Sequence, residues 1–91
     1  MLIRIFEGVQ RILSELSDSF ASVVEKHRTT KGISRATLAA EAGLHQTYIG
    51  LLERAERSPN LDTAQAIARA LGVSLSQLII EAEKHQERKK R

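Results

Sequence analysis

The segment from Ser34 to Arg54, SRATLAAEAGLHQTYIGLLER, constrains this chain more than any other. It reads as two short helices joined by a tight turn. Ser34 opens the first, because its hydroxyl can accept a backbone N–H of the first turn. Leu38, Ala39 and Ala42 then form one apolar face at helical spacing. Gly43 stands where a helix closes on a left-handed residue, a conformation that glycine adopts at little cost. Leu44 fills the angle between the helices. His45 or Gln46 opens the second helix, whose inward face is Ile49 and Leu52. Ala39, Ala40 and Ala42 are small enough to let the two helices cross closely.

The composition agrees with a helical fold. Ninety-one residues make one small domain. Aromatic residues are only 3% of the chain, so the core must be built from Leu, Ile, Val and Ala, which suits helix-on-helix packing. With one proline and no alternating run, the expectation is an all-α chain. The absence of cysteine excludes disulfides and thiolate metal sites. A formal net charge of +3 is a modest basic bias, compatible with a nucleic-acid partner but not proof of one. No apolar run approaches the ~20 residues needed to span a membrane, and the N-terminus lacks a signal-peptide cleavage pattern. The expected location is cytoplasmic, with no membrane partner.

Along the chain, Leu2, Ile5, Phe6, Val9, Ile12, Leu13 and Leu16 recur at helical spacing, with Arg4, Glu7, Arg11 and Glu15 between them. This predicts an N-terminal amphipathic helix over residues 1–17, weakened at Gly8 by about 1 kcal/mol relative to alanine. Its apolar stripe either packs on its own domain or contacts a second copy. Ser17, Asp18 and Ser19 interrupt the pattern and offer an N-cap. A second helix is expected from Ser19 to Thr30, with Phe20, Val23, Val24 and His27 inward and Lys31-Gly32 at its end. His27 reads as a partly buried structural histidine. Asn60 caps a later helix whose core face is Leu61, Ala64, Ile67, Ala68 and Leu71, closed by Gly72. Ser74-Leu75-Ser76-Gln77 reads as a capping box with Gln77 reaching back to the cap. The helix after it turns Leu75, Leu78 and Ile79 inward. The layout is thus an N-terminal helix (1–17), a main domain (18–80) and a basic tail (81–91). The tail is polar and can extend the last helix, with Glu83, Glu87, Lys84 and Arg88 at helical spacing; five of the last eight residues are basic, as in a solvated, frayed terminus or a non-specific DNA contact.

A helix pair closed in this way is the helix-turn-helix motif. Around it, residues 18–79 resemble the Cro and phage-repressor type of helix-turn-helix domain, also called the xenobiotic-response-element (XRE) family. The resemblance rests on Arg28, KGIS at 31–34, LAAEAGL at 38–44, TYIGLLER at 47–54 and SPNLDTAQAIARALGVSLSQLI at 58–79, in the family's order and spacing. It implies a compact five-helix, lambda-repressor-like domain, here with an extra N-terminal helix ahead of it. It also implies a transcriptional regulator that binds double-stranded DNA sequence-specifically as a homodimer, usually a repressor, with the second helix of the motif in the major groove.

The resemblance also assigns residues. The groove-facing positions map to His45, Gln46, Thr47, Gly50 and Leu51. Gln46 can bond bidentately to adenine, Thr47 can meet a base edge or a thymine methyl, and Leu51 can make only apolar contact. Tyr48 suits a backbone phosphate. Gly50 either lets the helix approach the groove wall or makes no contact. Arg35 stands where relatives often have a phosphate-bonding glutamine, a role arginine can fill. Arg54 and Arg57 lie in the loop nearest the operator's centre, as phosphate or minor-groove contacts or as solvated surface. Ala55 stands where the family often has glycine, which implies a different end to that helix. Arg28 and Glu53 occupy positions that pair. Val73, Leu75, Ile79 and Ile80 lie where the family forms its two-fold contact.

No catalytic arrangement emerges. His27, His45 and His85 lack metal-ligand spacing, no Gly-rich phosphate loop is present, and no nucleophile has a matched base. No enzyme activity, cofactor or metal is expected. No segment after the domain is long enough for a sensor, so no small-molecule effector is expected either. Restriction–modification controller proteins have this size and are the leading expectation. An antitoxin that represses its own operon, or a protein-interaction module of the coactivator kind, are the alternatives.

Overall fold

A computed structural model describes residues 2–89, with side chains over 15–88. Five helices follow one another: α1 (Leu2–Lys31), α2 (Arg35–Ala42), α3 (Gln46–Glu53), α4 (Leu61–Leu71) and α5 (Leu75–Lys89). The described residues contain no strand, as expected of an all-α chain.

The helix ends follow the local chemistry. Ser34 Oγ accepts the Thr37 amide at 3.0 Å, Asn60 Oδ1 that of Thr63 at 2.8 Å, and Ser74 Oγ that of Gln77 at 3.1 Å. Each bond satisfies one of the amides that a helix start leaves without an internal partner. At the other ends, Gly43 and Gly72 take φ of 72° and 77°. Lys31 Nζ donates to the carbonyl of Ala70 at 3.2 Å and so ties α1 to the last turn of α4.

All five helices contribute to one aliphatic core. Leu38, Ile49, Leu52, Ile67 and Leu78 are fully buried, together with Val24, and Phe20, Val23, Ala39, Ala64, Ala68, Leu71 and Ala82 pack around them. Burying each of the larger aliphatic side chains contributes about 1.5–3 kcal/mol. α1 and α5 run antiparallel, joined by His27 Nε2 to the Glu81 carboxylate (3.0 Å), His85 Nδ1 to Ser19 Oγ (3.2 Å) and Gln86 Nε2 to Glu15 Oε2 (3.0 Å).

Several local expectations change. The helix does not break at Ser17–Ser19, and the extra N-terminal segment is the first half of α1. Ser19 does not act as a cap: it is 2% exposed and its hydroxyl meets His85, so the contact with α5 overrides the local capping tendency. Of the N-terminal apolar stripe, Leu16 is 38% exposed, while the side chains of Leu2, Ile5, Phe6, Val9, Ile12 and Leu13 lie outside the described residues. Leu61 is 77% exposed, because burial along α4 begins only one turn later, at Ala64. Gln77 does not complete a capping box: its side chain points up the helix, where Nε2 donates to Glu81 Oε2 at 3.3 Å, instead of turning its oxygen back to accept the Ser74 amide. The tail continues α5 to Lys89, and Lys90 and Arg91 lie outside the described residues. Among the described residues no single helix is long and apolar enough to cross a membrane.

Candidate nucleic-acid interface

The turn between α2 and α3 decides what α3 shows to solvent. With Gly43 left-handed, the Leu44 amide reaches back to the Ala39 carbonyl at 2.8 Å, and the chain reverses within three residues. His45 is then extended, with φ −81° and ψ 141°, and caps α3 without a side-chain bond. Ile49 and Leu52 anchor α3 in the core, and the apolar packing leaves its first turn outward. His45, Gln46 and Thr47 are exposed, whereas Tyr48 and Leu51 are half-buried.

Glu53, at the last turn of α3, has a side chain with no exposed surface and holds two guanidinium groups. Arg28 of α1 donates from Nε to Oε2 at 2.7 Å and from Nη2 to Oε1 at 3.2 Å. It also donates from Nη1 to the carbonyl of Ile33 at 2.9 Å. The hydrogen bonds to Glu53 raise the Arg28 pKa against the opposing effect of burial, with the charges of Glu53 and Glu25 adding to the rise. Arg35 donates from Nε to Glu53 Oε1 at 2.8 Å, and its Nη2 lies 3.9 Å from Glu25 Oε2. The Arg35 side chain remains 41% exposed. The pairing of Glu53 with Arg28 was implied by the family resemblance. Its second partner, 18 residues away, and the approach of Glu25 had no local signal.

The end of α3 brings another group together. Ala55 is left-handed at φ 60°, and its amide and that of Glu56 bond the carbonyls of Leu52 and Leu51 at 3.0 and 2.8 Å. The helix therefore ends as it would with glycine there, on an alanine that carries the strain. Arg54 folds back along α3, with Nε on Glu56 Oε2 at 2.7 Å. A Cβ placed on Gly50 would meet Arg54 Nη1 at 3.2 Å, and its three nearest atoms all belong to that guanidinium. Gly50 is thus covered by Arg54 rather than left as open space. Burial pushes the Tyr48 phenol up, and the nearby charge of Arg57 pulls it down, so these two residues also lie near one another. Arg54 and Arg57 are both exposed.

The residues considered for a two-fold contact divide. Val73, Leu75 and Ile79 are half-buried against the core, and Ile80 is 51% exposed. His27 is half-buried and serves α5 through Glu81. Burial pushes the Glu81 carboxyl up, but the hydrogen bond and charge of His27, the Gln77 amide and Lys26 outweigh it and hold the group below its ordinary value. No group of side chains among the described residues is arranged to hold a metal ion.

Two short helices crossing at a left-handed glycine, the second with its first turn laid open, define a helix-turn-helix domain. The helix-turn-helix family pattern matches residues 24–78. Control protein C.SmaI of Serratia marcescens is 37% identical over 65 residues, which cover 71% of this chain and 77% of that protein. Control protein C.BamHI of Bacillus amyloliquefaciens is 39% identical over 61 residues, 66% of this chain and 75% of that one. The crystal structure of the restriction-modification controller protein C.AhdI from Aeromonas hydrophila superposes with a TM-score of 0.66 at 34% identity, covering 68% of this chain and 94% of its own. The chain belongs to the XRE-type helix-turn-helix family of DNA-binding transcriptional regulators.

Proposed function

We propose that this protein is a cytoplasmic, controller-type regulator that binds a two-fold-related operator beside its own gene as a homodimer and represses or adjusts transcription there. The observation that carries this reading is the first turn of α3. Three polar residues, His45, Gln46 and Thr47, stand exposed at the end of a helix otherwise fixed in the core. In the major groove Gln46 would bond the N6 and N7 edge of adenine, and Thr47 would meet a base edge or a thymine methyl. Leu51 would touch a thymine methyl. Tyr48, Arg57 and the outer edge of Arg35 would hold phosphates, which position the helix without reading sequence. Ile80, with the half-buried Val73, Leu75 and Ile79 beside it, supplies an apolar surface for the second copy. The two α3 helices would then sit about 34 Å apart, one turn of DNA. The similarity to control proteins supports the regulatory role.

The test is fluorescence-anisotropy binding to a duplex taken from upstream of the gene, with scrambled competitor, across a salt series. The expected result is binding that resists competitor, falls steeply with salt and weakens by roughly five- to 150-fold in Gln46→Ala. Affinity for scrambled DNA equal to that for every upstream duplex would overturn the reading.

A further inference from the structure

We propose that Arg54 reads a guanine in the major groove, from the place that a side chain at position 50 would otherwise fill. The inference rests on the reading of α3 as the groove helix. Side chains on a helix lean toward its N-terminus, so a residue covers the one four positions before it. Arg54 does this to Gly50, with Nη1 3.2 Å and Nη2 3.8 Å from where a Cβ would stand. Gln46, Gly50 and Arg54 form one column along α3, spaced four residues apart. The guanidinium therefore lies one turn beyond Gln46 on the same column. Glycine at position 50 costs helix stability, and its use is explained by the group it admits. A Cβ there would press on Nη1 at 3.2 Å and require the fork to shift by a few tenths of an ångström.

The orientation of the fork is also set. Glu56 Oε2 takes the Nε–H at 2.7 Å, and Glu56 is brought round by the left-handed Ala55. The two terminal nitrogens, which lie over Gly50, have no hydrogen-bond partner among the described residues, and the Arg54 side chain is 55% exposed. A planar pair of donors matches a pair of acceptors. Among the major-groove edges only guanine offers two, O6 and N7; adenine offers a donor with an acceptor, thymine one acceptor and cytosine a donor. A phosphate also offers two acceptors, but Arg54 and Glu56 together carry no net charge. The pair therefore adds little attraction toward the backbone, and what remains is the donor pattern.

The test is selection of binding sites from a randomised duplex pool by the full chain and by Arg54→Ala. The wild-type pool should hold a guanine at one position of each half-site, and the Arg54→Ala pool should lose that guanine and keep the other preferences. On the wild-type site, Arg54→Ala should bind roughly five- to 150-fold more weakly, with an unchanged salt slope. Replacing the guanine by 7-deazaguanine, which removes N7, should weaken the wild type and leave Arg54→Ala unaffected. Gly50→Ala should melt at a higher temperature and yet lose part of the guanine preference. Retention of the guanine by Arg54→Ala overturns the proposal. So does a uniform loss over all sequences with a salt slope reduced by about one, which would mark a phosphate contact and leave α3 as the groove helix. Failure of the wild type to select any sequence would overturn the groove reading itself, and this inference with it.

Discussion

Replacing Ala55 by glycine should stabilise the protein, against the usual effect of glycine in a folded chain. Ala55 stands just past the end of α3 at φ 60°, and two backbone bonds depend on that conformation: Ala55 to Leu52 at 3.0 Å and Glu56 to Leu51 at 2.8 Å. An L-residue with a Cβ pays roughly 1–2 kcal/mol to be left-handed. Glycine removes that strain but gives the unfolded chain more freedom, which costs about 0.4–1 kcal/mol. Ala55 is exposed, so its methyl leaves no cavity. The difference predicts a gain of about 0.5–1 kcal/mol, and a melting temperature higher by roughly 2–8 °C for a domain of this size. Urea unfolding followed by circular dichroism should show a higher midpoint at an unchanged slope. Ala55→Val should move the midpoint the other way, because a branched Cβ is worse still in that region. An Ala55→Gly midpoint equal to or below the wild type would refute the argument and mean that α3 does not close through a left-handed residue in solution.

Three other perturbations test separate parts of the molecule. Glu53→Gln takes the charge from beneath two guanidinium groups, one of them on a side chain only 12% exposed. It should cost about 3 kcal/mol in urea unfolding, whereas Arg35→Ala, at the half-exposed edge of the cluster, should cost about 1 kcal/mol or less. Glu81 is held below its ordinary value when folded, so its contribution is present above the usual carboxylate range and disappears as pH falls through the folded value. Glu81→Gln should therefore melt below the wild type at neutral pH and converge on it in acid; parallel curves would refute the role of the His27 contact. Ile80→Glu should halve the sedimentation mass and remove the concentration dependence of the melting temperature, since Ile80 is 51% exposed on the single chain and its change disturbs the core little. An undiminished mass would move the two-fold contact elsewhere.

The helices whose starts and ends carry their own chemistry were legible from the sequence. Ser34, Gly43, Asn60 and Gly72 act on neighbours three to five residues away, so a short window contains both partners. The core face of α3 was legible for a similar reason, because Ile49 and Leu52 share one side of a short helix. What escaped was decided by contacts far apart in sequence or by side-chain direction. Ser17, Asp18 and Ser19 have the composition of a helix start, but Ser19 meets His85, 66 residues away, and α1 runs through. Leu61 has the spacing of a core residue, but burial depends on where α4 first meets the rest of the domain. Gly50 looked like an empty place on α3 because no local rule says that Arg54 folds back over it. Arg35 was read as a phosphate contact alone, because its acceptor, Glu53, belongs to another helix.

Glu53 shows how the fold serves the site. A leucine there would bury as much surface without the cost of taking a carboxylate out of water, several kcal/mol before its partners are counted. Apolar packing is not directional, and an aliphatic core tolerates small shifts of one helix on another. A carboxylate receiving three N–H bonds is directional. It is satisfied only when Arg28 of α1 and Arg35 of α2 stand at set positions around the last turn of α3. The orientation of α3 toward both helices is thereby specified by hydrogen bonds as well as by volume. Gln46 and Thr47 lie on the same eight-residue helix, so their direction is fixed relative to the first turn of α2. That turn carries Arg35, whose guanidinium lies between Glu53 and Glu25 and remains 41% exposed. On the proposed reading of α3 and Arg35, the base-contacting side chains and the phosphate-holding cation would meet DNA as one rigid unit, and less side-chain entropy would be lost on binding than two independent groups would lose.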